Sequence, residues 1–200
     1  MLELKLINKE NPYSDEPSAP FDLWAEFTLK YEDKILLSTQ WDMVGFIEWF
    51  IEKKEYLATE VFPFKFTNSI AESRDLLFDK IDDFSDEQEQ EQFEYEDYLS
   101  DYFVNHYFHL RGTDTQSFYI GLIPNLNGEI SCSVEDKYER YEFNMDSFIS
   151  EVDEEIKKFL KTCDISNETK LFFKGSLSYY YKYVGSVGEK TNEESIKRIN

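Results

Sequence analysis

The chain has 200 residues, 41% of them hydrophobic, with 18 Phe, 14 Tyr and 3 Trp. That is too much aromatic surface for a disordered polymer and enough length to bury a core. Lys and Arg number 21 against 42 Asp and Glu, a formal net charge of −21, which repels nucleic acid and anionic membranes and attracts basic partners. The first residues, Met1 to Leu6, lack the basic start and apolar run of a secretion signal, no stretch is long and apolar enough to span a bilayer, and the expected location is the cytoplasm.

Taken in chain order, Leu2, Leu4 and Leu6 alternate with Glu3 and Lys5 as in a strand with one buried face. Residues 8–20, with Pro12, Pro17 and Pro20, read as a loop. Phe21, Leu23, Ala25, Phe27, Leu29 and Tyr31 form a second alternation, which turns at Glu32-Asp33-Lys34 and returns through Ile35 to Leu37. Thr39 and Asp42 resemble the start of a capping box, predicting a helix from Gln40 to Lys54 that is apolar around most of its circumference. Ser69-x-x-Glu72 predicts a second helix to about Ile81, and Ser85-x-x-Gln88 a third, in an acidic helical segment over 82–103.

Strands are expected at Phe118 to Ile123 and Glu129 to Val134, joined through Asn127-Gly128, with Lys137 to Phe143 extending the sheet. Asp146 is the expected cap of a helix in which Phe148, Ile149, Val152, Ile156, Phe159, Leu160 and Cys163 share one face. Lys170 to Val184 reads as one or two Tyr-rich strands, and 185–200 as a polar tail. The helices and strands are grouped more than alternated, so the expected fold class is α+β, with antiparallel sheet or sheets packed with about four helices in a single domain over 1–184.

His106 and His109 stand three apart without a third ligand, so no metal site is expected. The seven Gly form no phosphate loop, no nucleophile motif occurs, and Asp82 to Asp86 lacks the turn glycine of a calcium loop, so no cofactor and no enzymatic activity are expected. A carboxylate pair of a hydrolase remains open among so many acids. Cys132 and Cys163 sit in apolar patterns and are expected as buried free thiols.

The least random feature is the window from Lys80 to Arg111, which contains Asp82, Asp83, Asp86, Glu87, Glu89, Glu91, Glu94, Glu96, Asp97 and Asp101 and, between those two ends, no Lys or Arg. On a helical wheel Tyr95, Tyr98, Leu99, Tyr102 and Phe103 line one face, while Glu87, Gln90, Glu94, Asp97 and Asp101 line the opposite one. Carboxylates three and four apart repel, and a basic partner would relieve them. Phe93 falls away from the apolar stripe, among acids, as an interface anchor would. Glu87, Phe93, Glu94, Asp97 and Asp101 are therefore the candidate partner-binding residues, and the same face is also what a solvated acidic helix would present.

In general style, and in this acidic stretch above all, the chain resembles the immunity proteins that protect bacteria from polymorphic or contact-dependent toxins. The resemblance carries no motif and assigns no residue roles. It implies tight, reversible burial of a basic toxin surface, often that of a nuclease, with no direct contact to nucleic acid or membrane. A phage-type nucleic-acid mimic that blocks a DNA-binding enzyme is the alternative. Less favoured are a small-ligand domain with a pocket near Trp41 and Trp49, an enzyme, or an accessory subunit that uses the apolar helix.

Overall fold

The computed structural model describes residues 1–13, 23–135 and 137–165. The architecture is α+β: two antiparallel sheets, one of three strands and one of four, with four α-helices. Chain contacts gather the described residues into two compact units, one drawn from Leu2–Ile51 together with 150–165, the other from Glu52–Ile149 with Met1. Among the described residues no helix is long and apolar enough to cross a membrane.

In the first unit β1 (Leu2–Asn8), β2 (Trp24–Tyr31) and β3 (Lys34–Asp42) form a meander in the order β1-β2-β3. The alternation read from the sequence is the alternation seen: Leu2, Leu4 and Leu6 are buried on β1, and Ala25, Phe27 and Leu29 on β2. The β2–β3 turn places Glu32 at φ 52°, in the left-handed region. The Phe27 ring meets Phe46 edge-on at 5.1 Å, and Phe46 stacks on Phe50 at 6.4 Å, which ties the sheet to the first half of α1 (Val44–Thr59). From the other end of the chain, α4 (Met145–Thr162) sends Glu155 to accept a hydrogen bond from Leu6 N at 3.2 Å, while the Thr162 carbonyl accepts from Asn8 Nδ2 at 2.7 Å.

Two expected boundaries in this region move. Gln40 to Asp42 is strand, because β2 offers pairing along its full length: Ala25 faces Trp41 and Trp24 faces Asp42. Cross-strand pairing outweighs the local capping signal at Thr39. Asp42 still caps the helix, accepting from Val44 N at 2.9 Å, and the helix runs past Lys54 to bury Leu57 completely. On α4 the cap is Asn144, whose Oδ1 accepts from Ser147 N at 2.8 Å, with Asp146 inside the first turn.

The second unit holds α2 (Ile70–Phe78), α3 (Glu89–His106) and the four-stranded sheet of β4 (Tyr107–Phe108), β5 (Phe118–Leu122), β6 (Gly128–Val134) and β7 (Lys137–Phe143), in the order β4-β5-β6-β7. Ser69 caps α2 as its sequence predicts, accepting from Glu72 N at 3.0 Å. The last expected turn of that helix is a 3-10 segment, Asp79–Asp83. A second 3-10 turn, Asp86–Gln88, with its Ser85–Gln88 capping box, leads into α3. The core of this unit is aromatic: the Phe62 ring meets Tyr102 at 5.4 Å and Phe64 at 5.4 Å, and Phe64 stacks on Phe103 at 5.9 Å.

Asn127-Gly128 joins β5 to β6 as expected, but the glycine serves another purpose than turn geometry. The left-handed residue is Leu126, at φ 67°. Gly128 is already in the strand, where a Cβ would stand 2.8 Å from the Phe143 ring, so the ring on β7 is what requires it. The expected strands between Lys170 and Val184 and the polar tail lie outside the described residues.

Candidate functional site

Of the five candidate partner-binding residues, Phe93, Glu94, Asp97 and Asp101 lie on α3 and are exposed. Glu87 is also exposed but stands in the preceding 3-10 turn, off the straight line of the helix. Helical spacing brings Phe93, Asp97 and Asp101 into one row, with Glu94 beside it. No described Lys or Arg pairs with any of them. Neighbouring amides bond the acids instead, Gln90 Nε2 donating to Glu94 at 2.8 Å and Gln92 Nε2 to Glu96 at 2.9 Å. Phe93 is 52% exposed and Val104, three turns on, 61%, so an apolar residue stands toward each end of the acidic row.

The opposite stripe needs one correction. Leu99, Tyr102 and Phe103 are buried and Tyr95 half-buried, but Tyr98 is 55% exposed. Its ring leans edge-on against Phe64 at 5.1 Å, at the border of the stripe rather than beneath it. Tyr98, Asp101 and Tyr102 line a hollow of about 300 Å³ together with Glu60, Val61 and Pro63 from the segment that follows α1. On its other flank, α3 contributes Ser100, Phe103 and Val104 to a hollow of about 420 Å³ that also includes Arg74, Phe78, Tyr107 and Tyr119.

The inner side of α3 carries a second polar group of residues, which sequence reasoning missed. His106 is fully buried and its ring lies flat on Tyr102 at 3.9 Å. Nδ1 is 2.9 Å from the Tyr102 carbonyl oxygen, which can only accept, so Nδ1 carries the proton. Nε2 is then a bare acceptor, buried without a partner, as is the Tyr102 hydroxyl. Burial pushes His106 down to about 4, against the pull of the Tyr102 and Tyr56 carbonyls, so the imidazole is neutral at pH 7. Burial, reinforced by the charges of Glu60 and Glu129, also pushes the Tyr102 phenol well above its ordinary range. Gly121 on β5 makes room for both rings, since a Cβ there would stand 2.6 Å from the Tyr102 hydroxyl and 3.0 Å from His106 Cδ2.

Glu129 on β6 is also fully buried. Its Oε1 accepts from Ile70 N at 2.6 Å, and Ser131 Oγ, two residues along the strand, accepts from Ala71 N at 3.1 Å. Together they satisfy the first free N–H groups of α2 and set a negative charge at its positive end. Arg140 on β7 brings Nε to 3.3 Å from Glu129 Oε2 and donates to Glu142 and to the Asn68 carbonyl. Burial raises the Glu129 carboxyl, while Ile70 N, Ser131 and Arg140 hold it down. Of these partners Ser131 shares β6, Arg140 stands on the adjoining strand β7, and only Ile70, on α2, is distant in sequence. No local spacing announces them, and an isolated Glu between Gly128 and Ile130 was the only available signal.

No family model, no curated protein and no solved structure matches the chain.

His109 is half-buried, with Nδ1 3.1 Å from Ser117 Oγ. Among the described residues no three His, Cys, Asp or Glu side chains are grouped to hold a metal ion. Cys132 and Cys163 are both buried, and neither forms a disulfide. Trp41 lies against Trp24 at 5.6 Å and Trp49 stacks on Phe46 at 6.3 Å, while the two hollows above draw on neither Trp41 nor Trp49.

Proposed function

We propose that this chain is an immunity-type binding protein whose α3 face covers a basic surface of a cognate toxin domain. The observation that carries the reading is the exposed row of Glu94, Asp97 and Asp101, with no described cation paired to it and with exposed Phe93 among the acids. Like charges at helical spacing cost stability, and cations supplied by a partner reverse that cost. An exposed Phe beside them gives the partner apolar area to bury, which a face serving solubility alone does not need.

The 18 residues of α3 span about 27 Å. A patch of that reach suits the contact face of one protein domain, whereas mimicry of a duplex calls for carboxylates spread over a longer surface. Steered association with a basic domain is fast at low salt and weakens as ionic strength rises.

The reading predicts a basic toxin domain encoded immediately upstream of this chain, and the test is capture of that domain, with inhibition of its toxicity as readout. The Glu94→Lys plus Asp97→Lys variant is expected to lose capture and protection. Unchanged protection by that variant would reduce the row to a solvated face.

A further inference from the structure

The hollow of about 420 Å³ on the other flank of α3 differs in kind from the acidic row, because no Asp or Glu is among the described residues that line it. Its wall is a run of neighbouring rings. Phe78 lies 5.9 Å from Phe103, Phe103 lies 5.7 Å from Tyr119, and Tyr119 lies 5.5 Å from Tyr107, its register partner across the β4–β5 ladder. Val104 and Tyr107 are exposed, so solvent meets apolar surface at the rim. The volume falls within the range of small-ligand sites, which are mostly apolar with a few placed polar groups.

The polar side chains here can all donate. Arg74 alone among the described lining residues is charged, and its guanidinium lies over the Phe78 ring, 4.3 Å from the centre, and 5.7 Å from the centre of Tyr119. Only Nη1 is bonded, to Asp75 Oδ1 at 2.8 Å, while the other Asp75 oxygen accepts from the Tyr138 hydroxyl at 3.0 Å. Nε and Nη2, the pair that holds a carboxylate through two parallel bonds, have no partner among the described residues. The Tyr119 hydroxyl has none there either. Burial raises its phenol against the pull of the Arg74 charge, so the hydroxyl keeps its proton at pH 7. Ser100 adds a further hydroxyl.

A ligand that fits accepts hydrogen bonds at one end and offers a ring to aromatic walls at the other. One guanidinium matches one anionic group, and the net charge of −21 repels anything more highly charged. We propose that this hollow binds a small aromatic carboxylate, with the carboxylate on Nε and Nη2 of Arg74 and the ring against Tyr107 and Tyr119. The site stands apart from the acidic row and does not depend on the reading of α3 as a toxin-binding face.

The probe is 2-naphthoate, titrated at pH 7 and low salt into the 15N-labelled full chain. Saturable amide shifts are expected at Ser100, Val104 and Tyr119. Affinity is expected to fall about tenfold or more in Arg74→Gln and about threefold in Tyr119→Phe. Lys65→Gln makes the same change in net charge at an exposed position and is expected to leave the titration unchanged. Urea denaturation checks that each variant folds, and if Arg74→Gln does not, Tyr119→Phe, which removes one hydroxyl, carries the test.

No saturable shift, or equal affinity in Arg74→Gln and Lys65→Gln, overturns the site. Equal affinity for 2-naphthalenemethanol, the neutral ring, overturns the carboxylate assignment and leaves an apolar docking surface. Equal affinity for cyclohexanecarboxylate overturns the aromatic one. Glu94→Lys plus Asp97→Lys is expected to bind 2-naphthoate at least as well as the wild type, and loss of binding there would mean that the hollow and the acidic row are not separate.

Discussion

Carboxylates are treated in opposite ways on the two sides of α3. Behind it, Glu129 is fully buried, receives the N–H of Ile70 and has the Arg140 guanidinium beside it. In front, Glu94, Asp97 and Asp101 are exposed, and among the described residues no Lys or Arg pairs with them, Glu94 accepting only from the Gln90 amide. The first arrangement is complete within the chain and holds α2 against the sheet. The second leaves repulsion unrelieved, so it adds nothing to folding and becomes favourable only when cations arrive from outside. A single residue type thus separates what the chain needs for its own structure from what it offers to a partner.

The contrast breaks first at Glu129. Replacement by Ala leaves Ile70 N–H without its acceptor and takes the buried carboxylate from Arg140, which keeps Glu142 and the Asn68 carbonyl, and it is expected to cost about 2–3 kcal/mol, discounted because Arg140 is partly exposed. Glu129→Gln keeps one oxygen for Ile70 N and should cost less. Urea denaturation of the two variants measures both values, and equal, near-zero losses would mean that the buried group does not hold α2.

His106 gives the next effect, through pH. Its folded-state value of about 4 lies below the ordinary 6.5, so the unfolded chain takes up the proton first. The stabilisation is fully present above pH 6.5 and is lost as pH falls towards 4, roughly 3 kcal/mol in all. Glu129 works against it, because a carboxyl raised by burial gains folded stability as it protonates in acid. The His106 share is isolated by comparing the wild type with His106→Asn across that window. A variant that keeps the same slope would show that the imidazole is not the source.

The smallest effect is expected in front. Glu94→Lys plus Asp97→Lys removes like-charge neighbours from an exposed helix and should leave stability unchanged or raise it by a few tenths of a kcal/mol. A loss above about 1 kcal/mol in urea denaturation would place these acids among the structural ones, since exposed substitutions of this kind stay within about 0.5 kcal/mol.

The sequence was legible where periodicity and caps act locally. Alternation located β1 and β2, Ser69 and Ser85 located the starts of α2 and of the turn into α3, and the apolar spacing of Phe148, Val152 and Ile156 located α4. It misled where a distant partner decides. Gln40 to Asp42 is strand because β2 pairs with it, and Gly128 is required by a ring on β7. The acidic row was readable because a helix face needs only one segment to be recognised. The hollow beside it was not, because Glu60 and Val61 reach Tyr98 and Asp101 only through the fold. Tyr102 and His106 stand four residues apart, but nothing in that spacing announces the flat stack of the two rings opposite Gly121.

The central claim, that α3 binds by charge, is tested most directly by the association rate with the basic partner measured against ionic strength. The wild type is predicted to associate rapidly at low salt, with a rate that falls steeply as salt rises, and Glu94→Lys plus Asp97→Lys is predicted to flatten that dependence while stability holds. A rate in the wild type that does not respond to salt, or an unaltered slope in the variant, would contradict the account.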